Sequence, residues 1–283
     1  MSLAHLRAFG RALRPAHAWK NVVVGAALLF GHRAADLHAW ANVLGTFLAF
    51  CAVSSAGYLV NDVVDRAADR ARPTRAARPV ATGEVSVRSA LFGAAAIYAA
   101  SFLAAAQWLP SGVLFALAAY VTLTLLYTFV LRRVPGLAPV AVAAGFVLRA
   151  WGGAPAAGVA ASPWLLALTG VLSLALAVAK READDRSGPA AAPSRLSRAT
   201  DALLVLAAAG YLAWTQAPDT VALHGTRALA WTAVPVVLAL ARFRSRLRRD
   251  TTGQGPAELV ARDPVVLGLG ALWVALCAWV LYA

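Results

Sequence analysis

Asn61-Asp62-Val63-Val64-Asp65-Arg66-Ala67-Ala68-Asp69 follows directly on an apolar run that closes near Val60. Asp62, Asp65 and Asp69 stand at i, i+3 and i+7, a spacing that puts all three carboxylates on one face of a helix. Bare carboxylates so close repel one another. Hard cations such as Mg2+ relieve that repulsion, because they take oxygen ligands and keep water and substrate phosphate in their shell. The plainer alternative is a solvated helix end with Asp–Arg pairs, since Arg66 and Arg70 lie within reach. The position at the mouth of an apolar segment adds weight to function, because ionisable residues there are often functional.

The rest of the chain shows what that apolar segment belongs to. Of 283 residues, 60% are hydrophobic, and the mean hydropathy is +0.67. Soluble domains seldom exceed about half apolar residues. The expectation is an all-α polytopic membrane protein, one integral domain over residues 1–283. Runs of about 20 apolar residues mark spans. Nine are expected, at 18–31, 38–60, 89–108, 112–131, 137–158, 163–179, 200–216, 229–241 and 264–282. The first and eighth are short, and Pro235 is expected to kink the eighth.

The net charge of +13 suggests nucleic acid at first sight. Its distribution excludes that reading, because Lys and Arg gather in alternate short loops. With nine spans all the basic loops fall on one side, which puts the N-terminus in the cytoplasm and the C-terminus outside, in the cell membrane. No cleavable signal segment is apparent. Cys51 and Cys277 lie in apolar runs and read as small core residues. The five histidines show no metal spacing and read as surface or interfacial, and most tryptophans sit near span ends.

A second acidic cluster, Glu182, Asp184 and Asp185, falls on the same cytoplasmic face and is expected to converge with the first. Lys180 with Asp184 and Arg181 with Asp185 also form i, i+4 pairs that can simply stabilise a helix end. Arg78 is a candidate phosphate fork. In the same loop Pro79 and Gly83 set a turn. Arg149 lies 12 residues into the fifth span, about 18 Å along a helix. A charge at that depth is expected to meet an anionic partner, either a ligand phosphate or a carboxylate. Gly152-Gly153 beyond it allows close helix approach or a break.

Asn61-Asp62-x-x-Asp65-x-x-x-Asp69 followed by Arg78-Pro79-x-x-x-Gly83 resembles the first signature of the UbiA superfamily of membrane prenyltransferases. The likeness extends to the superfamily branch that acts as decaprenyl-phosphate phosphoribosyltransferase. It is carried by Arg14-Pro15-x-x-x-Trp19-Lys20-Asn21, Arg149, Ser162-Pro163-Trp164-Leu165-Leu166, Lys180-Arg181-x-Ala183-Asp184 and Gly255-Pro256-x-Glu258-Leu259-x-x-Arg262-Asp263. The resemblance implies a nine-helix fold and an Mg2+ held by Asp62, Asp65 and Asp69. It further implies transfer of 5-phosphoribose from phosphoribosyl diphosphate to a polyprenyl phosphate, with Lys20, Asn61, Arg78, Arg149, Lys180, Arg181 and Asp184 contacting substrate. The rival within the superfamily moves a polyprenyl group from its diphosphate to an aromatic acceptor. Two departures bear on the choice. Where aromatic prenyltransferases carry a second Asp-rich motif, this chain reads Lys180-Arg181-Glu182-Ala183-Asp184-Asp185. Where the phosphoribosyl branch has Glu-Leu, it has Asp184-Asp185.

Overall fold

The computed structural model describes residues 3–186, 195–250 and 255–282. Its long helices are α1 (Leu3–Ala12), α3 (Leu37–Val64), α6 (Val87–Trp108), α7 (Ser111–Phe129) and α8 (Leu137–Ala157), followed by α9 (Pro163–Arg186), α10 (Arg195–Gln216), α12 (Ala233–Arg249) and α14 (Pro264–Tyr282). Shorter ones lie between them: α2 (Ala26–Phe30), α4 (Arg66–Arg70), α5 (Pro79–Thr82), α11 (Pro218–His224) and α13 (Pro256–Arg262). Eight helices among the described residues are long and apolar enough to cross a membrane. They coincide with the second to ninth expected spans. Large side chains such as Phe92, Leu103 and Phe115 stand exposed on them, as lipid contact allows.

The expected first span takes another form. Pro15–Gly25 is a 3-10 helix of 11 residues that runs into the five-residue α2. Such helices rarely exceed three or four residues. This segment runs close against α8. A Cβ at Gly153 would stand 2.1 Å from the Val24 carbonyl oxygen, so only glycine lets the two backbones meet. The glycine pair therefore serves close approach, and α8 continues unbroken to Ala157. The expected kink at Pro235 is replaced by a change of helix type. A 3-10 turn over Ala228–Thr232 precedes α12, and Pro235 sits in the first turn of α12, where its missing N–H costs nothing.

The chain packs as two compact units. The first comprises Met1–Ala141 with Gly145–Ala161, and the second Val142–Ala144 with Ser162–Ala283. In the first, Ala8 and Ala12 of α1 pack on Ala56 and Leu59 of α3 and on Val80, Val85 and Ala90. Small residues carry the cluster, so α1 lies close over the end of α3 and over the turn that follows it. In the second, Ala175, Ala179 and Ala183 form one stripe of α9 against Leu204, Phe243, Leu247 and Leu259.

Candidate active site

The acidic signature does not lie on one unbroken helix. Helix α3 ends at Val64, Asp65 is its cap, and α4 begins at Arg66. Asp62 and Asp69 are buried, at 2% and 1% exposure, and one guanidinium joins them. Arg78 Nη1 donates to Asp62 Oδ1 at 3.2 Å and to Asp69 Oδ2 at 2.7 Å. Arg14 donates to the same oxygen of Asp62, and Arg75 stands 3.8 Å from Asp69 Oδ1. Asp65 turns elsewhere. Arg132 donates to its carboxylate at 2.7 Å and to Asn61 Oδ1 at 3.3 Å. The expected triad is therefore a buried pair with a third carboxylate held apart. No group of three or more His, Cys, Asp or Glu among the described residues is arranged to hold a metal.

The plain Asp–Arg pairing also takes an unexpected form. Arg66 and Arg70 donate to the carbonyls of Val80 and Ala81, at 3.2 and 2.6 Å, which fastens α4 to α5. Proline at the first position of α5 and Gly83 at φ 91° close that short helix. Both residues suit these places, proline because its φ is pre-set and glycine because it bears the left-handed backbone. Arg78 is the residue immediately before the helix, so this turn carries the guanidinium to the two aspartates.

The pair retains unused acceptors. Asp62 Oδ2 and Asp69 Oδ1 are buried with no hydrogen-bond partner. A buried carboxylate oxygen left without a donor is costly, so two together call for an explanation. Oxygens of this kind are what a hard divalent cation takes, and the pair would supply two of its ligands, with water and substrate phosphate for the rest. Three guanidiniums (Arg14, Arg75, Arg78) against two carboxylates leave the cluster net positive, which suits a diphosphate as well.

Arg14, which spacing and periodicity did not single out, joins the cluster through Asp62. Its backbone is left-handed at φ 53°, ψ 57°, rare for a residue with a side chain. The guanidinium lies 4.9 Å over the Tyr58 ring. His17, expected at the surface or an interface, is half-buried and set edge-on to Tyr58, with ring centroids 5.4 Å apart. Its burial, then the nearby charges of Lys20, Arg14 and Arg78, hold the imidazole down to about 4. Cys51, expected in the core, lines a cavity with these residues. Lys20 is half-buried on the same 3-10 helix.

Arg149 is buried, no carboxylate is among its hydrogen-bond partners in the described residues, and its protein partners are neutral oxygens. It donates from Nε to Asn21 Oδ1 at 2.5 Å, from Nη1 to the Gly145 carbonyl at 2.9 Å, and from Nη2 to Tyr120 OH at 2.7 Å and Ser54 Oγ at 3.1 Å. Its guanidinium also stacks 4.3 Å from the centre of the Tyr120 ring. One side chain thus ties α3, α7, α8 and the 3-10 helix together.

In the second unit the acidic cluster divides. Glu182 is fully buried, and both its oxygens accept from Arg244 Nη1, at 2.8 and 2.9 Å. Arg244 also donates to Asp201 and to Ser197 Oγ. Asp184 and Asp185 are exposed, and Lys180 pairs with Asp184 at 3.7 Å, the i, i+4 arrangement. Arg181 is half-buried in the same turn of α9.

Residues 22–262 match the model of the UbiA prenyltransferase family. The chain belongs to this family of membrane transferases. It is similar to the decaprenyl-phosphate phosphoribosyltransferase of Corynebacterium glutamicum, with 33% identity over 93% of this chain and 83% of that one. It is also 37% identical to the protein y4nM of Sinorhizobium fredii, over 59% of this chain and only 33% of that protein's length. Among solved structures it resembles a UbiA homologue from Archaeoglobus fulgidus bound to GPP and Mg2+. There the TM-score is 0.66 and the identity 19%, over 98% of this chain and 100% of that one, a likeness of fold.

Proposed function

We propose that this protein transfers the 5-phosphoribosyl group of phosphoribosyl diphosphate to a polyprenyl phosphate, in a reaction that needs Mg2+. The observation that carries this reading is the buried Asp62–Asp69 pair, with one oxygen of each held by Arg78 and the other unsatisfied. The similarity to decaprenyl-phosphate phosphoribosyltransferase over most of the chain supports the choice of substrates.

Asp62 and Asp69 would hold the cation, whose chemistry would be charge neutralisation of the leaving diphosphate. Arg14, Arg75 and Arg78 offer charge-assisted donors to phosphate oxygens. The bond from the anomeric carbon to diphosphate breaks, and a bond from that carbon to an oxygen of the lipid phosphate forms. The sugar passes through an oxocarbenium-like state, as in glycosyl transfer generally. The attacking oxygen is already anionic, so no general base is required. Positioning and charge neutralisation then carry the catalysis. Lys180 and Arg181 of the second unit remain candidate contacts for an anionic group, the role the family resemblance gives them. The site faces the cytoplasm of the cell membrane in this reading, where a soluble donor is at hand.

The rival reaction transfers a polyprenyl group to an aromatic acceptor. By the family resemblance, members of that kind present carboxylates where this chain has Lys180 and Arg181, and the neighbouring Glu182 is buried on Arg244. The deciding experiment gives the purified protein Mg2+ with two substrate pairs in parallel. One is polyprenyl phosphate with phosphoribosyl diphosphate, the other polyprenyl diphosphate with an aromatic acid. A phosphoribosylated lipid from the first pair alone is the expected result, and a prenylated acid from the second would overturn the proposal.

A further inference from the structure

Between α1, the 3-10 helix, α3 and α6 of the first unit lies a cavity of about 530 Å³. That is within the usual size of a ligand site, about 300–1,000 Å³. Its walls include Leu13, Ala52, Tyr58 and Ile97, and the surface they present is almost entirely apolar. Arg14, the cation of the wall, and the imidazole of His17 break that surface. Arg14 lines the cavity and reaches Asp62, and His17 lines it with a buried Nδ1 that has no hydrogen-bond partner. We infer that this cavity is the acceptor subsite, taking the phosphate of a polyprenyl phosphate at Arg14 and His17 and its first isoprene units along the apolar wall. The inference rests on the function proposed above and names where one of its two substrates sits.

Three observations favour a lipid phosphate over a soluble donor. Asn21, Ser54, Ser55 and Tyr58 also line the cavity, but most of the surface presented is apolar, which suits an isoprene chain better than a ribose. An apolar line on α1 also leads up to the cavity wall. Leu3 and Leu6 are exposed on α1, and Gly10 and Leu13, which follow at helical spacing on the same face, line the cavity. Lastly, the one charged group at the wall is also a neighbour of the acidic pair. A phosphate held by Arg14 is thereby brought beside Asp62, where the diphosphate is proposed to leave. The left-handed backbone of Arg14 fits such a duty, since strained residues persist where the surrounding structure holds them for function.

Cys51 lines the cavity, while the chain's other cysteine, Cys277, is fully buried in the second unit. Alkylation of Cys51 by N-ethylmaleimide in the native protein, read by mass spectrometry without Mg2+ or phosphoribosyl diphosphate, therefore reports occupancy directly. Polyprenyl phosphate at ten times its Kd is expected to slow alkylation about tenfold. Phosphoribosyl diphosphate, inorganic phosphate and phosphatidylglycerol at matched concentrations are expected to leave it unchanged. As a second reading, Ala52→Trp fills the cavity and is expected to weaken polyprenyl phosphate binding about tenfold, with phosphoribosyl diphosphate affinity unaltered. Equal alkylation rates with and without polyprenyl phosphate would overturn the assignment, as would equal protection by phosphatidylglycerol. The two proposals fail separately. Product formation with Cys51 unprotected removes this subsite and keeps the reaction, whereas protection without any phosphoribosylated product does the reverse.

Discussion

Asp62 and Asp69 differ from Asp65 in burial and in company, and their chemistry should differ accordingly. The first two keep one unsatisfied oxygen each, while Asp65 is more exposed and spends its charge on Arg132. Replacing a carboxylate by an amide preserves size and removes the charge a divalent cation requires. Asp62→Asn and Asp69→Asn are therefore expected to lower kcat/KM by about a hundredfold or more, since a metal's charge stabilisation is worth several kcal/mol. Asp65→Asn should cost about tenfold or less, the scale of a lost supporting contact. Steady-state kinetics on variants that elute as monodisperse protein decide the matter. Equal losses at all three positions would restore the single carboxylate face read from the spacing.

The C-terminal end of α9 shows how a helix sorts neighbouring charges. Glu182 and Asp184 stand two residues apart, so they point to different sides. One is buried against Arg244, and the other is exposed beside Lys180. Removing one partner of a buried ion pair leaves an uncompensated charge, while an exposed pair contributes little. Glu182→Ala is expected to destabilise the protein by about 3 kcal/mol, because Arg244 keeps only Asp201 as a counter-charge. Asp184→Ala should stay within about 0.5 kcal/mol of the parent. Thermal or denaturant unfolding in detergent measures both. Matching effects would mean that α9 presents both carboxylates alike, and with them a second acidic cluster of the kind the spacing first suggested.

For the whole chain the open count is whether residues 15–30 complete a crossing. Eight long apolar helices alone would return the two ends to the same side, and a ninth crossing separates them. The alternation of basic loops fits nine, with the N-terminus inside. Alkaline phosphatase fused after Ala283 should accordingly be active, and green fluorescent protein fused there dark. A fluorescent fusion would mean that the 3-10 helix and α2 enter the membrane without crossing it.

Fold class, span positions and the whereabouts of the acidic signature were legible in the residues, because the bilayer acts as a nearly uniform solvent. It selects apolar runs of a set length and requires every backbone group to be satisfied within the helix. Both demands are local along the chain. The seating of the first apolar run was not legible, since its backbone meets Gly153 of another helix. Ionic pairing was still less so. Arg14 meets Asp62 from 48 residues away, and Arg132 meets Asn61 from 71. Which carboxylate a guanidinium reaches depends on how each helix is rotated about its axis. Packing of Ala8 and Ala12 against Ala56 and Leu59 helps set that rotation in the first unit. The i, i+3, i+7 spacing supplied three equivalent acids. Only tertiary contacts separated the buried pair from the third, gave Arg149 neutral partners, and turned Glu182 into the interior.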